Sequence, residues 1–155
     1  MFYIGIDLGG TKIAAGIVDE EGRIVYKDSV PTGRTRKSDE IVNDICMLVQ
    51  KLLNDSQIAA KDIDSVGIGS PGSLDRDKGI IIANFNLNFR NVRIRDEIQK
   101  VIAVPVYVEN DANCAAIAES IAGAAKEAEY AVIITIGTGI GGGVIINNKI
   151  YIGAN

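Results

Sequence analysis

Two hydrophobic periods alternate along the chain. Apolar positions crowd residues 2–8, 13–18 and 23–30, separated by Gly9-Gly10-Thr11 and by the acidic turn Asp19-Glu20-Glu21-Gly22. That pattern predicts three strands in hairpin succession. After a loop over residues 31–37 the spacing changes. Ile41, Val42, Ile45, Leu48, Val49, Leu52 and Leu53 recur at helical intervals, which predicts an amphipathic helix ending near Asn54. Ser38 is the expected N-cap, with Asp39 and Glu40 in the first turn, where negative charge suits the helix dipole. Cys46 falls beside the apolar stripe and is expected to pack as a small hydrophobe. Residues 63–69 predict a further strand, running into Ser70-Pro71-Gly72. Residues 73–92 read as irregular, apart from a short strand at Ile80-Ile81-Ile82. A helix over 94–101, a strand over 104–108 and an alanine-rich helix over 111–126 follow. The chain then gives strands at 131–136, 144–146 and 150–152, with a turn at Asn147-Asn148. The order βββαβαβα followed by new strands indicates an α/β fold, and its antiparallel opening separates it from a plain alternating Rossmann pattern.

Composition narrows the chemistry. The 155 residues suit one domain, or one and a fragment, and 47% apolar with 23% charged residues is the balance of an ordered globular protein. A net charge of −4 argues against a nucleic-acid-coating surface. Cys46 and Cys114 are too few and too far apart for a disulfide framework or a zinc site, and they suit a reducing cytoplasm. There is no histidine, which removes Ser-His-Asp and Cys-His catalysis and leaves Asp and Glu as general bases. Met1-Phe2-Tyr3-Ile4 lacks a positive n-region, so no signal peptide is expected. Residues 130–148 carry no charge and are long enough to span a bilayer. Yet Gly137, Gly139, Gly141, Gly142 and Gly143 lie within them, each costing a helix about 1 kcal/mol. Two strands joined by a glycine loop fit better than a membrane helix.

Five segments carry candidate chemistry. In Asp7-Leu8-Gly9-Gly10-Thr11-Lys12 an aspartate closes an apolar strand, and paired glycines let backbone amides approach an anion. A plain hairpin turn with an exposed aspartate accounts for it equally well. The run Gly137-Thr138-Gly139-Ile140-Gly141-Gly142-Gly143 matches G-x-G-x-x-G formally, but it precedes a strand rather than a helix, so a dinucleotide fingerprint is rejected. No P-loop motif occurs. The run remains a glycine hairpin suited to gripping phosphate. Glu109-Asn110-Asp111-Ala112-Asn113 sits at a strand-to-helix junction. One such residue is explained by capping, whereas three polar groups at a strand end suit a ligand, with Asp111 placed to accept a proton and Asn110 to hold a hydroxyl. Gly69-Ser70-Pro71-Gly72 and Asn84-Phe85-Asn86-Leu87-Asn88-Phe89 read as turns, or as amide and aromatic partners for a sugar.

In order and spacing, the runs over residues 7–12, 67–72, 109–113 and 135–143 together resemble the ROK family, which includes bacterial glucokinases and related sugar kinases. The resemblance implies an actin-like ATPase (ribonuclease H-like) fold: an amino-terminal lobe over residues 1–112 and the beginning of a second lobe over 113–155. It implies that Asp111 is the catalytic base and that Gly72, Asn86, Asn110 and Asp111 hold the sugar. By the same resemblance Gly9, Gly10, Thr11, Lys12, Gly137, Thr138 and Gly139 take the ATP phosphates, and Asp7 orients Mg²⁺. The implied activity is phosphoryl transfer from ATP to a hexose, glucose being the first candidate, in the cytoplasm. Neither a nucleic acid nor a membrane is an implied partner.

The chain departs from the family pattern in lacking a Gly-His sugar motif and a Cys/His zinc site. It therefore reads as the amino-terminal portion of a sugar kinase, whose strands near 131–152 are open to pairing with another copy as a homo-oligomer. Two alternatives stand beside this. One is a sugar-responsive transcriptional regulator of the same family, the other a non-catalytic half-kinase that binds sugar or nucleotide. An acetate or pantothenate kinase is disfavoured by the motif at 109–113.

Overall fold

The computed structural model describes residues 1–137 and 139–152. They divide into two compact units, Met1–Glu109 and Asn110–Asn155. The division falls just ahead of Asn110, because that residue already caps the helix of the second unit.

The first unit is built on a five-stranded mixed sheet. Its strands are β1 (Phe2–Leu8), β2 (Lys12–Asp19), β3 (Ile24–Pro31), β4 (Ile63–Ser70) and β8 (Val106–Asn110), in the order β3-β2-β1-β4-β8. β1 pairs antiparallel with β2 and parallel with β4, so the opening hairpins form as the alternation predicts. Ile4, Ile6 and Leu8 of β1 and Ile13, Ala15 and Ile17 of β2 are buried together with the apolar stripe of α1 (Ser38–Ser56). Helix α1 begins where the pattern changes, but Ser38 is its first residue and not its cap. Lys37 holds the cap position, and the Glu40 carboxylate accepts the Lys37 backbone N–H at 2.9 Å. The acidic residue three places on thus supplies the cap expected of the serine. The helix runs two residues past Asn54 and stops at Gln57, which turns left-handed at φ 59. Cys46 packs beside the core as expected, and burial raises its thiol pKa.

Residues 73–92 are not irregular. They form a second sheet, β5 (Ser73–Asp75), β6 (Ile80–Asn84) and β7 (Phe89–Val92). Strands of three to five residues leave little periodicity to read, yet Ile81, Leu87 and Phe89 are fully buried and anchor the sheet in the core. Helix α2 (Ile94–Gln99) is shorter than expected, burying only Ile94 and Ile98.

The second unit packs α3 (Asp111–Ala122) on a three-stranded antiparallel sheet of β9 (Ala131–Ile136), β10 (Ile140–Ile146) and β11 (Lys149–Ile150), in the order β11-β10-β9. Helix α3 ends before Gly123 instead of continuing to Lys126. Asn147 and Asn148 take φ 51 and 59, the pair a tight hairpin turn requires. Gly141, Gly142 and Gly143 lie inside β10, opposite Thr135, Ile134 and Ile133. They are strand and not loop, and Ala112 and Ala116 of α3 close against this stretch. On the other face Val132, Ile134, Ile136 and Ile140 are between 64% and 84% exposed. Among the described residues no helix is long and apolar enough to cross a membrane.

Candidate active site

Because β1 and β4 are parallel neighbours, with Asp7 opposite Gly69, the loops that follow them leave the same end of the sheet. In α/β folds ligands gather there. The β1–β2 turn closes through the Gly9 N–H, which donates to the Lys12 carbonyl at 3.1 Å. A Cβ at Gly9 would lie 2.8 Å from that carbonyl oxygen, so the turn admits only glycine. Two residues hold it from behind. The buried Thr32 hydroxyl donates to the Gly9 carbonyl at 2.7 Å, and Arg34 Nε donates to the Gly10 carbonyl at 2.8 Å. Neither was singled out from the sequence, although the antiparallel pairing of Lys12 with Pro31 brings the 32–34 loop alongside. With Arg34 and Lys12, two cations flank a turn of small residues, the composition of an anion site. Asp7 is exposed near the end of β1.

The two weakest sequence motifs prove to be one cluster. The Asn84 side chain, 2% exposed, donates to the Pro71 carbonyl at 3.1 Å and accepts the Asn86 backbone N–H at 3.0 Å. Gly72 sits at φ +100, and a Cβ there would fall 2.2 Å from the Ala83 carbonyl oxygen. Glycine alone lets the two loops close. Asn84 therefore fastens the cluster while Asn86 and Phe85, the latter 83% exposed, are presented outward.

At the end of β8, Glu109 makes a forked ion pair with Arg76, whose Nη2 lies 2.7 Å from a carboxylate oxygen. The pair raises the arginine pKa above its ordinary value. In the second unit the Asn110 side-chain oxygen accepts the backbone N–H groups of Ala112 and Asn113 at 3.0 and 3.2 Å, so the capping reading holds for this residue. Asp111 follows as the first residue of α3, exposed, and its Oδ1 accepts the Ala112 N–H at 2.9 Å. A structural cap and an outward carboxylate thus occupy adjacent positions.

Gly137 and Gly139 bracket the β9–β10 turn, where the Gly137 N–H donates to the Gly139 carbonyl at 2.9 Å. A Cβ at either would meet nothing within 4 Å. Thr138 lies outside the described residues. The glycines of this run therefore divide in purpose: Gly141 and Gly143 are spaces for α3, whereas Gly137 and Gly139 border open volume.

Over residues 3–155 the sequence matches the ROK family. The chain belongs to the ROK family. Its fold is accordingly that of the actin-like ATPases, α/β with a mixed sheet. This ROK chain is 41% identical over 147 residues to a glucokinase of Streptomyces coelicolor, covering 95% of the chain and 44% of that protein. It is 34% identical over 155 residues to the xylose repressor of Bacillus subtilis, covering 99% of the chain and 40% of the repressor. Among solved structures, a ROK family glucokinase from Streptomyces griseus, crystallised with glucose and AMPPNP, superposes with a TM-score of 0.88 at 40% identity. That match covers 99% of this chain and 47% of the glucokinase. The chain thus spans less than half the length of each of these relatives.

Among the described residues no three His, Cys, Asp or Glu side chains group closely enough to hold a metal. Mg²⁺ does not need such a cage. It keeps several waters and takes one or two carboxylates together with substrate phosphates. A single exposed carboxylate beside a glycine turn, as Asp7 is, fits that habit.

Proposed function

We propose that this chain serves a sugar kinase, transferring the γ-phosphoryl group of ATP to a hexose, with glucose the first substrate to test. One observation carries the reading: its likeness, over 99% of its length, to a glucokinase crystallised with glucose and a nucleotide analogue. In this reading the Asp111 carboxylate takes the proton of the attacking sugar hydroxyl. The hydroxyl oxygen bonds to the γ-phosphorus as the bond to the β-phosphate oxygen breaks, and ADP leaves. Asn110, Gly72 and Asn86 hold the sugar. The backbone of Gly9, Gly10 and Thr11 with Lys12, and that of Gly137, Thr138 and Gly139, receive the phosphates. Asp7 orients Mg²⁺, which neutralises charge on the phosphates when bound. Little covalent chemistry is asked of the protein, since phosphoryl transfer depends mainly on positioning and charge.

ADP release in a coupled assay across a panel of hexoses tests the proposal. Asp111→Asn should lower turnover by about 10²–10⁴ with the circular dichroism spectrum unchanged. A variant that retains full turnover removes Asp111 from the role of base. The likeness to a repressor supports a second reading, a sugar-responsive regulator. Calorimetry that finds sugar binding without any ADP release would favour it, or a non-catalytic half-kinase.

A further inference from the structure

Arg76 stands in the turn after β5, and Glu109 lies 33 positions further along the chain. The guanidinium Nε lies 2.9 and 2.8 Å from the two carboxylate oxygens, and Nη2 adds a 2.7 Å contact. The side chains are 25% and 19% exposed. A forked guanidinium–carboxylate contact is directional, which a lysine ammonium is not.

The turn carrying Arg76 is itself fixed. Arg95 of α2 donates to the carbonyls of Arg76 at 2.8 Å, Asp77 at 2.6 Å and Val106 at 2.9 Å. Its backbone N–H donates to the Gly79 carbonyl at 3.2 Å. A Cβ at Gly79 would lie 2.5 Å from Arg95 Cβ, so the turn is closed onto this arginine. Two guanidinium groups therefore bind one turn to β8, at its first residue and at Glu109. The residues that follow Glu109 are Asn110 and Asp111. Burial alone would be served as well by apolar side chains of similar volume. What the pair adds is orientation.

We propose that Arg76 is a positioning residue: acting through Glu109, it fixes the end of β8 and so the Asn110 cap from which Asp111 projects. This deepens the reading of Asp111 as the base and rests on it for its functional meaning.

Amide hydrogen exchange by NMR on the whole chain tests the proposal without turnover. In Arg76→Gln, exchange at Ala112 and Asn113, the two amides bonded to Asn110, should quicken by about tenfold, as loss of a charged hydrogen bond implies. Ile45 and Leu48 in α1 should keep their protection. Glu109→Gln should reproduce the effect, and Arg76→Lys, which keeps the charge but not the fork, should restore part of the protection. Unchanged exchange at Ala112 and Asn113 overturns the proposal. So does an equal rise at Ile45 and Leu48, the signature of a global loss of stability. Should Arg76→Gln not fold, Arg76→Lys decides: protection at both amides equal to that of the parent overturns the assignment. Failure of Asp111→Asn to impair turnover would leave these rates unaffected, so the two readings fail separately.

Discussion

A single methyl group placed on Gly143 probes how α3 is seated. The added Cβ would stand 2.5 Å from Ala116 Cβ and 3.1 Å from the Ala112 carbonyl oxygen. Carbon atoms rest about 3.5–4.0 Å apart, so helix and strand must separate by about 1–1.5 Å. Ala112 and Ala116 are the buried residues of α3, at 5% and 0% exposure, so the displacement acts on its main contact. Overpacking of this kind costs about 1–3 kcal/mol. Gly143→Ala should show that loss in urea denaturation followed by circular dichroism, with the slope unchanged. Gly67→Ala, where nothing lies within 4 Å, is the matched control, and it should stay within about 0.5 kcal/mol of the parent or exceed it. On the proposal that Asp111 is the base, a shift of about 1 Å in it should lower turnover about a hundredfold. If Gly143→Ala proves as stable as the control, the methyl-to-backbone seating is not what holds α3, and the reasoning fails.

Two further outcomes follow from particular contacts. Asn84→Ala removes a buried side chain and leaves the partly buried Asn86 N–H and Pro71 carbonyl without it, and it should cost about 1–3 kcal/mol in the same urea assay. Part of the pH dependence rests on Lys51, which bridges Asp28 and Asp55 and, by hydrogen bonding, holds both carboxyls below the ordinary 3.8, as other partners do for Asp19 and Asp75. Their stabilisation is therefore complete above that value and lost as pH falls through the lower folded values. With no histidine in the chain, thermal midpoints should be flat from about pH 5 to 8 and drop below about pH 4, less steeply in Lys51→Met. A midpoint that changes between pH 5 and 8 would contradict this.

Much of the first unit was legible because long elements repeat their period. The seven-residue β1 alternates, and the stripe from Ile41 to Leu52 runs through about three turns of helix α1. The second sheet was not, since β5 and β7 are three and four residues long and draw their burial from tertiary packing. Ends were misread where a local contact or backbone turn and not a period decides them: Glu40 capping through Lys37, and Gln57 turning left-handed. The glycine run carried two meanings that composition merges. Only the structure separates the positions that face α3 from those that border the turn. Arg34 and Arg76 stayed hidden because each acts on a segment more than twenty positions away, and surface arginines carry no local signature. The junction at Asn110 and Asp111 was legible because a strand end meeting a helix start is written in adjacent residues.

The placement of β1 has a practical corollary. Phe2–Leu8 is the middle strand of its sheet, joined to β2 on one side and β4 on the other. It is the keystone of its arch. Trimming those residues would detach the β2–β3 hairpin from β4 and β8 and leave two fragments with no common sheet.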